Sequence, residues 1–332
     1  MPELPEVETV CRGLNQVTLN QEIWGGDALL SRTIAYPFSV GEFLAGLKNV
    51  TIAAWHRRGK YLLAQLKKSG ISSQENLTTQ NENNPKSKIV RLSAVRRSTE
   101  RSRRSLSSPS KPHAEVQNPK SSDAGWLGVH LRMTGQLLWL DREQPLQKHT
   151  RVRLFFPNSR ELRFVDQRTF GQMWWVPPSE TPESIITGLK KLGPDPFSAD
   201  FSVEYLIKKL HKRQRAIKTA LLDQSLVAGV GNIYADEALF LSGIRPETLC
   251  ASLNREQIER VRTNLIQVLR ASIEAGGTTF SNFLSVMGVN GNYSGVAWVY
   301  GRAGTPCRVC GTGIRRLKLA GRSSHFCPNC QI

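Results

Sequence analysis

Two groups of residues in this chain could do chemistry, one at each end. The N-terminus reads "MPELPEVETV", with Glu3 beside Pro2 and Glu6 one helical turn further on. Aminopeptidases remove an initiator Met readily when the next residue is small, so Pro2 is expected to become residue one. It then carries a secondary amine with a pKa of about 7.7–8.0, against ~10.4 for lysine, and a useful fraction is neutral and nucleophilic at pH 7. Two carboxylates beside that amine supply a proton acceptor and a proton donor within a few ångströms. The structural alternative is that acids occupy a first helical turn because they complement the macrodipole. At the other end, "CRVC" and "CPNC" place Cys307, Cys310, Cys327 and Cys330 as two C-x2-C pairs sixteen residues apart. That spacing fits a closed tetrathiolate, so one structural Zn2+ is expected, with rubredoxin-like iron as the alternative.

Charge narrows the partners. The 332 residues carry 45 Lys/Arg against 27 Asp/Glu, a net +18 with a pI near 10.0. Residues 67–124 account for 12 bases and 5 acids, and the remainder still holds 33 against 22, so the folded part is itself basic. A polyanion, nucleic acid before an anionic membrane surface, is the expected partner. Residues 301–332 contain six Arg/Lys and no acid. A zinc hairpin bearing Arg315, Arg316, Lys318 and Arg322 near its "LAGRS" tip suits phosphates. No run of eighteen apolar residues exists and the start lacks a secretory pattern, so neither a membrane span nor export is expected.

These groups need elements to position them. "EVETVCRGLNQV" after Pro5 sets Val7, Val10, Cys11, Leu14 and Val17 on one helical face. Residues 30–66 and 126–176 read as strands, which predicts a two-layered β domain flanked by helices. Between them, residues 67–124 have the composition of a disordered basic insertion: no aromatic occurs from Tyr61 to Trp126. "KKLGPDPFSADF" reads as a linker, and from Ser202 onward the pattern is helical, ending in a long segment through "REQIERVRTNLIQVLRASIEAG". The turn at Gly229 and Gly231, before Asn232, offers backbone amides that could bind a phosphate, or an ordinary packing corner. Lys60 in "RRGKYLL" is a possible second amine, although an isolated lysine is ordinary.

"MPELPEVET", "RRGKYLL", "HLRMTGQL", "DQRTFG", "GVGNIYADEALF", "VYGR" and the four cysteines occur in one order. Together they resemble the bacterial formamidopyrimidine-DNA glycosylase family over all but residues 67–124. The resemblance implies an α+β multidomain chain. Residues 1–187 would form a catalytic β-sandwich flanked by helices, 188–300 a helix-two-turn-helix domain with a lesion-recognition loop, and 301–332 a zinc-ribbon β-hairpin. It implies a monomeric, cytoplasmic, nucleoid-associated enzyme that excises 8-oxoguanine and formamidopyrimidines from damaged double-stranded DNA. Strand cleavage at the abasic site by β,δ-elimination would follow.

The resemblance also assigns roles. Pro2 becomes the Schiff-base nucleophile, Glu3 the acid/base that assists sugar-ring opening, with Glu6 beside it, and Lys60 the proton donor of β-elimination. Arg322 matches the donor of δ-elimination; because an arginine pKa above ~12 makes a poor donor, a phosphate-binding role suits it better. Met133, Arg168 and Phe170 match side chains inserted where the damaged base leaves the stack, although by residue type Met133 and Phe170 read as core. His130, His149, Arg213 and Asn232 match phosphate contacts, Arg168 is DNA-binding as well as inserted, and 278–300 matches the loop that closes over the base. Thr169 stands where many relatives carry a second arginine. Two rivals remain: an endonuclease VIII-type enzyme for oxidised pyrimidines, disfavoured by "MPELPEVET" and "DQRTFG", and a non-catalytic zinc protein that binds DNA or RNA, disfavoured by Pro2, Glu3, Glu6 and Lys60.

Overall fold

The computed structural model describes residues 2–69, 122–277, 286, 288 and 295–332. The expected insertion, apart from 67–69 and 122–124, and most of the 278–300 loop lie outside those residues. Twelve strands are described: β1 (Glu22–Ile23), β2 (Gly25–Ala28), β3 (Ile34–Tyr36), β4 (Val50–Arg58), β5 (Tyr61–Lys68), β6 (Asp123–His130), β7 (Gly135–Asp141), β8 (Thr150–Phe155), β9 (Arg160–Asp166), β10 (Gln172–Val176), β11 (Arg315–Leu319) and β12 (Arg322–Phe326). One sheet runs β1-β4-β5-β6-β10-β3 and a second runs β2-β8-β9-β7; β11 and β12 form a separate hairpin. The first sheet is antiparallel except where β10 meets β3.

Alternation builds the sandwich. In β8 every second residue is buried, and Val152 and Leu154 meet Leu162 and Phe164 of β9 and Ile52 and Leu62 of the other sheet in one apolar core. Helix α1 (Leu4–Val17) covers that core with Val7, Val10, Cys11 and Leu14, and α2 (Val40–Leu47) adds Phe43 and Leu47. α2 is a departure from the all-strand reading of 30–66. Ser39 caps it through the Glu42 amide, and Phe43 and Leu47 lie one turn apart on the buried face. Its Gly46 is dictated by packing, since a Cβ there would enter the Trp175 ring. β5 and β6 also run into the expected insertion from both ends, with Lys67 paired to Asp123.

After short helices α3 (Pro182–Ile185) and α4 (Thr187–Lys190), the chain is helical: α5 (Val203–Leu210), α6 (Ile217–Leu221), α7 (Asn232–Leu241) and α8 (Arg255–Glu274). These pack around their own core of Leu206, Ile217, Tyr234, Leu239 and Leu265. Leu4 belongs to this second core, while Val7, Val10 and Leu14 of the same helix belong to the first. Helix α1 therefore bridges the two bodies, and its start is anchored where chain ends are usually frayed. Arg57 adds a polar tie, donating to Glu8 of α1 and Asp195 of the linker at 2.7 Å each.

Candidate active site and nucleic-acid interface

The first residues lie in a slot made by glycines. The Leu4 amide donates to the Gly229 carbonyl at 3.0 Å, and the Ile233 amide at the start of α7 donates to Glu3 Oε1 at 3.1 Å. A Cβ on Gly231 would overlap the Glu3 carboxyl, one on Gly229 would overlap Leu4, and one on Gly277 would press on Glu6. Gly229 (φ +89°) and Gly277 (φ +84°) also sit in the left-handed region that glycine adopts freely. Glu6 Oε2 accepts the Glu3 amide at 2.8 Å, while its Oε1 accepts the Tyr234 hydroxyl at 2.6 Å. Tyr234 in turn lies 2.6 Å from Ser272 of α8. Glu6 thus holds the N-terminal turn in place, and Glu3 is left with one buried oxygen, Oε2, that has no hydrogen-bond partner.

Lys60 comes to the same place from the β4–β5 turn of the first sheet. It stands with Gly59 in the two-residue turn between Arg58 and Tyr61, and the turn abuts the helical body at Leu192 and Ala228. Glu3 is 2% and Lys60 7% exposed. Burial raises the Glu3 carboxyl above its ordinary pKa, with Lys60 pulling it back and Glu6 adding to the rise. Burial lowers the Lys60 ammonium, with Glu3 opposing and Arg322 reinforcing the fall. Both groups are moved toward neutrality at physiological pH, the condition for proton transfer in either direction.

At the C-terminal end, the sulfurs of Cys307, Cys310, Cys327 and Cys330 all lie within 4.8 Å of one another. The two cross-pairs, 307–330 and 310–327, are 3.9 and 3.5 Å apart, close to the ~3.8 Å edge of a tetrahedron with Zn–S bonds of about 2.3 Å. Val309 and Cys330 amides point at Cys307 and Cys327 sulfurs, both at 3.4 Å, a usual support for thiolates on zinc. The donor set and spacing fit one structural Zn2+. Ala320 (φ +46°) and Gly321 (φ +80°) make the left-handed two-residue turn of the hairpin, and Arg322 opens β12.

The hairpin hangs on the helical body by its backbone. The Ser323 carbonyl accepts Lys218 Nζ at 2.7 Å and Asn232 Nδ2 at 3.0 Å, and the His325 amide donates to Asp236 Oδ2 at 2.9 Å. This hold sets Arg322 where it depresses both Lys60 and Lys218. Zinc removal should therefore loosen Arg322 and the neighbouring bases together. We expect one zinc per chain by elemental analysis. Stripping it should reduce the slope of log affinity for DNA against log salt by about 2, as lost phosphate contacts do.

Comparison with known proteins agrees with this geometry. The formamidopyrimidine-DNA glycosylase N-terminal domain matches residues 1–173, the H2TH domain of the same enzyme residues 192–283, and the zinc finger found in FPG and IleRS residues 304–332. A formamidopyrimidine-DNA glycosylase of Nostoc punctiforme is 62% identical, covering 100% of this chain and 96% of its own. The chain belongs to the formamidopyrimidine-DNA glycosylase family. A Nostoc sp. relative of the same name is 60% identical, with 100% of both chains covered. A complex of Lactococcus lactis Fpg with abasic-site DNA superposes with a TM-score of 0.76 at 30% identity, covering 99% of each chain. MutM (Fpg) from Thermus thermophilus gives 0.74 at 31% identity, covering 99% of this chain and 98% of its own. Membership makes the chain a DNA-repair glycosylase for oxidised purines, with an associated abasic-site lyase activity.

The expected interface residues are distributed around this centre. Met133 (37% exposed) and Phe170 (52%) stand out of the sandwich, against the core position that residue type alone suggests. The Arg168 guanidinium lies 5.1 Å from the Phe170 ring centroid, so an arginine, an aromatic and a thioether crown two adjacent turns. His149 is half-buried and sits 3.2 Å from Arg151 Nη2. Arg213 is half-buried, with Asp223 only loosely engaged at 3.9 Å. His130 is buried, and its pKa is pushed down to about 3 by burial, then by Arg132 and Lys60. Its Nδ1 accepts the Arg132 amide at 2.9 Å, so the neutral ring keeps its proton on Nε2 and is a dipole, not a cation.

Of the two readings of the Gly229–Gly231 turn, the packing corner is the one the structure favours. The sequence offers the amides of the Gly229–Gly231 turn as a phosphate cradle, yet the Ile233 amide holds Glu3, and the Gly229 amide holds Gln224 Oε1 at 2.9 Å. The same helix-terminus chemistry serves an internal carboxylate. Other residues were not singled out by the sequence. Lys218 and Asp236, both buried, pair at 2.7 Å, and Glu237 accepts the amides of Trp298, Val299 and Tyr300, fixing the segment before the zinc hairpin. The available signal was charge in apolar company, in "AIKTALL" and "YADEALF".

Proposed function

We propose that Pro2, freed of Met1, attacks the anomeric carbon of an oxidised purine nucleotide, with Glu3 and Lys60 moving the protons. The C1′–N9 bond breaks and the base departs. Glu3 delivers a proton to the ring oxygen as the sugar opens. Because Pro2 is a secondary amine, the resulting Schiff base has no N–H to lose and stays a cationic iminium. That charge acidifies the C2′ proton, and its removal expels the 3′ phosphate; a second elimination expels the 5′ phosphate. Lys60 serves the first elimination, and Arg322 neutralises the departing phosphate while the zinc hairpin holds it in place. Glu6 acts by holding Glu3.

The observation that carries this reading is a buried carboxyl next in sequence to Pro2 whose raised pKa is opposed by the buried Lys60, itself lowered by burial with Arg322 reinforcing the fall. Met133, Arg168 and Phe170 fill the gap left when the base leaves the stack, and His130, His149, Arg213 and Asn232 bind the backbone. The enzyme acts as a monomer in the cytoplasm, on nucleoid DNA.

Borohydride trapping tests the assignment. A duplex with one 8-oxoguanine opposite cytosine should give a covalent adduct mapping to Pro2, and an undamaged duplex should give none. Lactococcus lactis Fpg has also been solved with oxidised-pyrimidine DNA, so a pyrimidine-lesion duplex belongs in the same experiment. Stronger trapping there would favour the endonuclease VIII-type specificity; absence of any adduct from zinc-loaded protein lacking Met1 would remove Pro2 as the nucleophile.

A further inference from the structure

Met133 and Phe170 sit on different turns. Met133 lies between β6 and β7, and Phe170 lies with Arg168 between β9 and β10. One buried group joins the two turns. Asp166, the last residue of β9, is 1% exposed. Its Oδ1 accepts the Thr134 hydroxyl, and its Oδ2 accepts the Gly171 amide at 2.7 Å. Thr134 Oγ1 also accepts the Arg168 amide at 3.0 Å. The hydroxyl therefore works in series, donating to the carboxylate and accepting from the neighbouring turn, a use of both capacities that only Ser or Thr offers with so short a side chain.

The surroundings make this junction stiff. The Asp166 amide donates to the His149 carbonyl at 2.9 Å, and its carbonyl accepts Arg151 Nε at 2.8 Å. Thr169, beside Arg168, holds φ +58°, a conformation that a β-branched residue rarely adopts, and Arg32 donates to its hydroxyl from the outer side. Gly171 has no room for a Cβ between Phe164 and Asp166.

We propose that Thr134 is a positioning residue: through Asp166 it locks the Met133 turn to the Arg168–Phe170 turn, so that the three side chains enter the duplex as one rigid body. This rests on the reading of those three as gap fillers. Unstacking a base costs a few kcal/mol. A wedge whose two halves slide against each other would give way before the stack does. Thr134 touches no substrate, and its effect is confined to substrates that still carry a base to extrude.

The test compares Thr134→Val, which keeps the shape and removes the hydroxyl, with Thr134→Ser, which keeps the hydroxyl. Single-turnover base excision from an 8-oxoguanine duplex is measured beside strand cleavage of a duplex with a preformed abasic site. For Thr134→Val, excision should fall roughly 10- to 100-fold further than abasic cleavage, the size of a lost hydrogen bond to a charged acceptor. Thr134→Ser should restore the ratio to within about threefold of wild type. Equal losses of both activities, or no rescue by serine, would mark Thr134 as merely structural and overturn the proposal. Should the valine variant not fold, Thr134→Ala carries the same comparison. Met133→Ala and Phe170→Ala separate the two ideas. If both leave the ratio unmoved, the gap-filling reading fails; if they lower it while Thr134→Val does not, that reading stands and the lock fails.

Discussion

Glu3→Gln should cut single-turnover base excision by about 10²–10⁴-fold, the range of a lost general acid–base group, while abasic-DNA affinity changes by no more than a few-fold. The physical reason lies in where the proton sits before reaction. An α-amine with a pKa of about 7.7–8.0 is mostly protonated at neutral pH, and an ordinary carboxyl is mostly ionised. Burial shifts that balance, because a buried carboxylate is disfavoured relative to its neutral acid, and Glu3 is moved in that direction. Passing a proton from the Pro2 ammonium to Glu3 therefore produces a nucleophile and an acid in one step, with no proton exchanged with solvent. Glutamine keeps the shape and can still accept the Ile233 amide, but it cannot take that proton.

The sign of the pH dependence follows. In the variant, the amine reaches its neutral form only by losing a proton to water, so residual excision should climb as pH rises through about 8. In the wild type, the internal transfer supplies the neutral amine below that pH, so the climb is shallower, and loss of the Glu3 proton turns the rate down at higher pH. Excision rates of both proteins measured across pH 6–9 provide the check. Parallel profiles would show that Glu3 takes no part in deprotonating the amine. Equal losses of affinity and turnover would show that it merely shapes the slot.

How much of this was legible in the sequence differs by residue, for physical reasons. The four cysteines were legible because metal geometry fixes both ligand type and local spacing. The N-terminal groups could be singled out because a proline in second position with an adjacent acid suggests its chemistry without any partner. Lys218 and Asp236 are different: each gains its meaning from the other and from the Ser323 carbonyl, which lies 105 residues beyond Lys218. Thr134 and Asp166 are 32 residues apart and meet only because β7 pairs with β9, with Gly135 opposite Asp166. Met133 and Phe170 show the reverse limit, since their types argue for burial and the sheet ends turn them outward. The Ile233 amide illustrates a third: an anion site at a helix start was readable, but not which anion fills it.

Pro2→Gly sets the second large effect, and it separates the amine from the ring. Glycine is small enough for Met1 removal to proceed, so the variant still presents an α-amine at the same point in the chain. What changes is the covalent product. A primary amine yields an imine whose proton can leave, and the neutral imine no longer draws electrons from C2′; proline's iminium holds its charge throughout. Strand cleavage should therefore fall more than adduct formation. Cleavage should drop roughly 10²-fold or more, as expected when a covalent intermediate loses its activation. Borohydride should still trap a reduced but measurable amount of adduct, and intact-mass analysis should confirm that Met1 is gone from both proteins. Loss of the proline ring also frees rotation about the N–Cα bond at a buried position beside Glu3, which blurs the placement of the attacking nitrogen. An accompanying drop in the adduct yield measures that contribution, and the ratio of cleavage to adduct isolates the charge. If cleavage and adduct fell in strict proportion, the permanent iminium charge would not drive the elimination, and proline would serve only to position the amine.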